Sequence, residues 1–245
     1  FFSVINMTHP SSPRKAPDVE RDQKDYWSLN APTCAFSTPF HMDAFCQQVP
    51  FEKKVLDYGC GYGRTLMELS KAGFTDLHGV DFCPEMIDRA KMQQIPRVEL
   101  MVKKGRRTTY DIASFDAIIL LNTLSCIMPN SEQLRLIDEV KKLLKPNGKV
   151  YVNDFLVNEE DENSLAKYNE HKEAYQNEDF DYDYGIFVMG DGGLCRHHDP
   201  DWIKQLFVDF TPDKYEEYSM ADGAGNVTKA FYFIGTLPAV GALPA

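Results

Sequence analysis

Apolar residues fall into short clustered runs separated by longer stretches where they recur every three or four positions, the alternation expected of strands followed by helices. Val55, Leu56 and Tyr58 make the first run, and residues 65–72 read as the helix after it. Further strands are expected at 77–80, 98–102, 117–121 and 149–153. Pro84 opens a helix carrying Met86, Ile87 and Ala90, and Leu134, Ile137, Val140, Leu143 and Leu144 form the stripe of another. Asp199 and Pro200 suit the cap and first position of a helix through Phe207, and 214–218 and 229–235 read as two strands around a turn at 222–226. This repeated alternation predicts an α/β fold with a mostly parallel sheet.

A length of 245 residues suits one domain with a full core. We assign 25–237 to it, between an arm at 1–24, punctuated by Pro10, Pro13 and Pro17, and a tail at 238–245. Tyr26, Trp27, Phe36, Phe40, His41, Met42 and Phe45 give 25–48 enough apolar surface for a helical lid. An insertion at 155–193 follows the fifth strand. Its first half reads as a helix through Leu165, Tyr168, His171, Lys172 and Tyr175, and its second half is aromatic. Ligands of open α/β sheets bind beyond the carboxyl ends of the strands, so this insertion is expected to hang over a site.

Between the first strand and its helix lies the sequence VLDYGCGYGR, with Gly59, Gly61 and Gly63 forming a turn that no side chain obstructs. A dinucleotide fingerprint would space its glycines GxGxxG to admit a pyrophosphate. Here the pattern is GxGxG, and Asp57 stands two residues before the first glycine, where a carboxylate repels phosphate and suits an ammonium group. Asp81 ends the second strand, where an acid can accept hydrogen bonds from ribose hydroxyls.

These segments resemble the class I, Rossmann-like S-adenosylmethionine-dependent methyltransferases. The likeness continues through Phe82, Pro84 and Met86, the entry Ser114, Phe115 and Asp116 to the fourth strand, and Lys145, Pro146, Asn147 and Gly148 before the fifth. The resemblance implies a three-layer sandwich with a seven-stranded sheet of order 3-2-1-4-5-7-6, closed by an antiparallel C-terminal hairpin. It also implies S-adenosylmethionine as cofactor, held by Tyr26, Asp57, Gly59, Gly61, Gly63, Asp81, Phe82, Met86 and Asn122. One position departs from the family: where many members carry an acid for the adenine amino group, this chain has Lys103, Lys104, Gly105, Arg106 and Arg107, and Asp111 comes too late. Backbone amides and the apolar surfaces of Phe82 and Met86 are left to hold the adenine.

The acceptor is expected near Asn122, Thr123 and Ser125 after the fourth strand, Asp154 after the fifth, and Arg196, His197 and His198. We assign His197, Tyr184 and Asp154 to catalysis and Arg196, Tyr182 and Ser125 to substrate binding. Either histidine could serve as base because imidazole titrates near neutrality, while Tyr26, Tyr182 and Tyr184 could face the sulfonium through their rings. His41 is expected to pack in the lid.

Composition narrows the acceptor. A formal net charge of −11 opposes attraction to a phosphate backbone, so no nucleic-acid partner is expected. The dense basic cluster at 103–107 keeps an RNA or protein acceptor open as a rival. The six cysteines contain no CxxC pair, so neither a metal site nor a disulfide framework is expected. No run is long and apolar enough to span a bilayer, and a cytoplasmic protein acting on a small-molecule acceptor is the expectation. Two further alternatives remain: attack at another carbon of the sulfonium, releasing methylthioadenosine, and a cofactor-binding subunit without activity. Oligomeric state is left open.

Overall fold

The computed structural model describes residues 19–175, 184–190, 192–221 and 227–239. Its centre is a sheet of seven strands in the order β3-β2-β1-β4-β5-β9-β8. These are β1 (Lys54–Tyr58), β2 (Asp76–Asp81), β3 (Val98–Val102), β4 (Phe115–Leu121), β5 (Leu144–Phe155), β8 (Thr211–Ala221) and β9 (Val227–Thr236). Strands β1 to β5 run parallel to their neighbours, and β9 returns antiparallel between β5 and β8. Counted along the sheet strands alone, this is the 3-2-1-4-5-7-6 order expected. The names differ because β6 (Ile186–Val188) and β7 (Leu194–Arg196) intervene in the chain and form their own two-stranded ribbon.

Successive side chains of a strand point to opposite faces, which sorts the core into two layers. Leu56, Ile118, Leu120, Val150 and Val152 meet Leu136, Ile137 and Val140 of α5 (Asn130–Leu143) and Ile203 and Leu206 of α7 (Pro200–Leu206). On the other face Val55, Leu77, Ala117, Ile119 and Tyr151 meet Phe45 of α2 (Met42–Cys46), Leu66 and Leu69 of α3 (Arg64–Ala72), and Ile87 of α4 (Pro84–Met92). Burial on both faces explains why β1 and β4 read as nearly unbroken apolar runs. Helix α7 is capped as expected: the Asp199 carboxylate accepts from the Asp201 and Trp202 amides.

The N-terminal helix begins earlier than expected. Helix α1 spans Val19–Asn30, so it starts inside the stretch read as an arm. Arg89 of α4 seats the lid by donating to the Ala31 and Cys34 carbonyls, both at 2.8 Å, while its guanidinium stacks 4.0 Å from the Tyr62 ring. The helix of the insertion is α6 (Glu162–Tyr175), with Tyr168 and His171 buried as their spacing predicts. The turn at 222–226, Tyr182 and most of the aromatic half of the insertion lie outside the described residues.

Ribbon β6–β7 hangs from the end of β5. The His198 amide donates to the Phe155 carbonyl at 2.9 Å, and the Val157 amide donates to the His198 carbonyl at 3.0 Å. Gly185 enters β6 at φ +93°, where a Cβ would lie 2.1 Å from the His197 carbonyl oxygen. Only glycine fits that approach.

Candidate active site

A cavity of about 940 Å³ opens at the carboxyl ends of β1, β2 and β4, roofed by α1 and flanked by ribbon β6–β7. That lies near the top of the roughly 300–1,000 Å³ typical of small-molecule sites, enough for a nucleoside and a second molecule together. The turn after β1 is its floor. The Gly59 and Cys60 amides donate to the Val80 carbonyl at 2.8 and 3.1 Å, tying the turn to β2. Gly59 and Gly61 have φ of +81° and +51°, and an added Cβ would meet Thr123 Oγ1 at 2.9 Å and the Phe36 ring at 2.8 Å respectively. The bare backbone leaves the cradle open to a ligand.

Two acids flank that turn. Asp57 on β1 is 2% exposed, lines the cavity, and has no hydrogen bond or ion pair among the described residues. Burial raises its pKa to about 7, against the opposing attraction of Arg64. Arg64 itself is engaged elsewhere, donating to the Thr38 carbonyl at 2.6 Å and pairing with Glu68 at 3.1 Å. Asp81 is fixed differently: Oδ2 accepts from the Gly61 amide and Oδ1 from the Cys83 amide, both at 2.9 Å. Burial still raises its pKa, while those amides pull the other way. One acid therefore waits for a cation, and the other is aimed with lone pairs to spare.

Phe82 and Met86 line the same end of the cavity, as does Asn122, which sits at φ +52° after β4. Asn122 donates through Nδ2 to Thr38 Oγ1, and its Oδ1 is buried without a partner among the described residues. Lys103, Gly105, Arg106 and Arg107 continue the wall beyond Met86. Glu139 of α5 organises this side: its carboxylate accepts from the Tyr58 hydroxyl at 3.0 Å and the Thr108 amide at 2.6 Å, joining β1 and α5 to the loop after β3. An ammonium for Asp57, a diol for Asp81, donors for Asn122 and flat apolar surface at Phe82 and Met86 are the complement of S-adenosylmethionine. The residues present fit it.

Residues 55–148 match the family described as a methyltransferase domain. That stretch is what the chain shares with methyltransferase domains. Over 138 residues the chain is 30% identical to a ribosomal protein L11 methyltransferase of Paraburkholderia phytofirmans, covering 54% of this chain and 43% of that protein. The chain thus spans less than half the length of the curated relatives it matches. In fold, the chain resembles a solved S-adenosylmethionine-dependent methyltransferase from Methanosarcina mazei, with a TM-score of 0.72 at 20% identity over 83% of this chain and 100% of that one. Magnesium protoporphyrin IX methyltransferase from Synechocystis PCC 6803, solved with bound S-adenosylhomocysteine, gives 0.57 at 14% identity over 92% of this chain and 89% of that one.

Several residues assigned to the site from sequence sit behind the cavity walls. Asp154 is fully buried with Oδ2 accepting from the Ser125 amide at 3.0 Å and Oδ1 from the Phe155 amide at 2.9 Å, so it braces the end of β5 rather than facing the cavity. Burial raises its pKa to about 7. His197 meets the Tyr168 hydroxyl at 2.7 Å and the Phe187 ring at 4.8 Å, and burial lowers its pKa to about 4. Tyr184 packs on Tyr168, with centroids 5.6 Å apart. His198 is locked neutral, with Nδ1 donating to the Phe155 carbonyl and Nε2 accepting from Gln133. Arg196 is 3% exposed, and its guanidinium lies 5.9 Å from the Trp202 ring. Tyr26 backs onto Gly193, and Gly63 packs near Ile95 and Ala90. None of these residues lines the cavity; Ser125 does.

The walls also contain Trp27 and Phe36, read from sequence as lid surface, and residues the sequence reading passed over, among them Gln23 and Cys126. Gln23 and Trp27 are four apart and so share a face of α1. That spacing was the available signal, hidden by placing the start of the lid too late.

Proposed function

We propose that the protein transfers the methyl group of S-adenosylmethionine to a small molecule enclosed beneath α1. The observation that carries this reading is Asp57, a buried carboxylate without a partner among the described residues, set opposite the amide-anchored Asp81 across a glycine turn. When bound, the sulfonium supplies an already activated methyl carbon. What remains for the chain is to hold an acceptor lone pair in line and keep water out, and positioning of this kind is worth roughly 7 to 11 kcal/mol. Asp57 would hold the amino end and Asp81 the ribose, with Asn122 and Ser125 at the junction between cofactor and acceptor.

A roofed acceptor side supports a small molecule. Gln23 of α1 donates to the Leu194 carbonyl of β7 at 2.8 Å, and Ser28 donates to Glu85 of α4 at 3.0 Å, so the lid is tied on both flanks. Asp154 and His197 face away, so an acceptor would present its own lone pair or lose its proton to solvent. A protein acceptor is the second reading, favoured by the L11 relative and by Arg106, Arg107 and Arg135 along one wall of the cavity.

Incubating the pure protein with S-adenosylmethionine and fractionated cell extract, then identifying the nucleoside by mass spectrometry, tests both. S-adenosylhomocysteine formed with the small-metabolite fraction is the expected result. Turnover confined to the protein fraction would establish the second reading, and methylthioadenosine would remove both.

A further inference from the structure

Gln23 is 5% exposed and lines the cavity from α1. Its Nε2 donates to the Leu194 carbonyl at 2.8 Å. A carbonyl can only accept, so this contact fixes which end of the amide is nitrogen and turns Oε1 away as an acceptor. That Oε1 is buried and has no partner among the described residues. A buried amide oxygen left unmatched destabilises the fold, and a wall that keeps one needs an explanation.

The surroundings limit what can satisfy it. Trp27, one turn further along α1, packs toward Cys83 and Met86 at the cofactor end, which places Gln23 at the far end beside Leu194 and Cys195. Ile127, Phe155, Met189 and Leu194 add apolar surface to the lining, and Lys24, next to Gln23, is its charged neighbour there. Asp57 and Asp81 stand at the glycine turn, and Asp154 spends both oxygens on backbone amides. Among the described residues a cationic donor would find the Lys24 side chain on the cavity lining, a sulfonium as neighbour and no free carboxylate on this side, whereas a neutral hydroxyl or N–H would match a lone amide oxygen.

We infer that Gln23 is a specificity-determining residue: its Oε1 receives a neutral hydroxyl or N–H donor on the methyl acceptor, which is a small, mostly apolar molecule. This rests on the methyltransferase reading above, and the test separates the two.

Full-chain protein is first titrated with S-adenosylhomocysteine by calorimetry; no binding there sinks the underlying reading. The saturated protein is then titrated with phenol, anisole, indole, 1-methylindole and benzylamine. Phenol and indole should bind at least about fivefold more tightly than their methylated counterparts, the scale of one neutral hydrogen bond. Gln23→Met should abolish that preference while retaining S-adenosylhomocysteine affinity. Gln23→Glu loses the same contact to Leu194 but keeps an acceptor oxygen, and should retain the preference. Equal behaviour of the two variants would reduce Gln23 to a lid fastener and overturn the inference. So would tightest binding of benzylamine, silence of all five probes, or loss of nucleoside affinity in Gln23→Met.

Discussion

Asp57 holds its proton more tightly in the fold than in the unfolded chain, where its value is near 3.8 rather than about 7. Asp154 behaves alike. The sign follows from linkage: the fold favours the protonated forms, so their stabilising contribution is complete below about pH 4 and is lost as pH rises toward 7. Binding of an ammonium-bearing nucleoside runs the other way, since it needs Asp57 ionised. Calorimetry should show S-adenosylhomocysteine affinity rising from pH 5.5 to 7.5, and Asp57→Asn should weaken binding about tenfold or more and flatten that dependence. For Asp154 the expectation is structural. Asp154→Asn presents an NH2 to one of two backbone amides and should lower stability by about 1–3 kcal/mol in urea unfolding, leaving the pH dependence of nucleoside binding intact.

The turn after β1 and the entry to β6 both depend on glycine, yet their substitutions should differ. In Gly61→Ala the new methyl meets the edge of the Phe36 ring, a side chain that can swing aside, so the protein should fold while nucleoside affinity falls. In Gly185→Ala it meets the His197 carbonyl, part of the backbone, and ribbon β6–β7 has to come away. A thermal melt should show the larger loss for Gly185→Ala. These elements also differ in how openly the chain announces them. Strands β1 and β4 are buried on both faces, and helix α5 packs a stripe against the sheet, so Leu56, Ile118 and Val140 mark their elements directly. The two-strand ribbon has only Ile186–Val188 and Leu194–Arg196, too few positions for alternation to register. Helix α1 starts in VERDQK, where Gln23 is buried, a polar residue that no apolar periodicity reveals. Asp154 and His197 misled for another reason. Their residue types fit cleft chemistry, but whether a carboxylate or imidazole meets solvent or a backbone amide is decided by tertiary packing.

Taken as one body, the molecule builds its chamber from segments far apart in the chain: residues 23–27 above, 57–61 below, 122–127 at the side and 189–195 at the far wall. A ligand that touches all of them links them energetically, because each is ordered at the expense of its own freedom. Hydrogen exchange should therefore slow in α1 when S-adenosylhomocysteine binds, although much of that helix lies on the far side of the cavity from the glycine turn. Equal exchange with and without nucleoside would separate the roof from the floor.

The Gln23 to Leu194 bond joins that roof to the ribbon. On the proposed reading, a molecule leaving between α1 and β7 has to wait for that bond to part, a mechanical step that belongs to neither chemistry nor recognition. Solvent friction, which leaves bond-making untouched, would slow that step, and escape of the spent nucleoside becomes a natural candidate for the pacemaker of the enzyme.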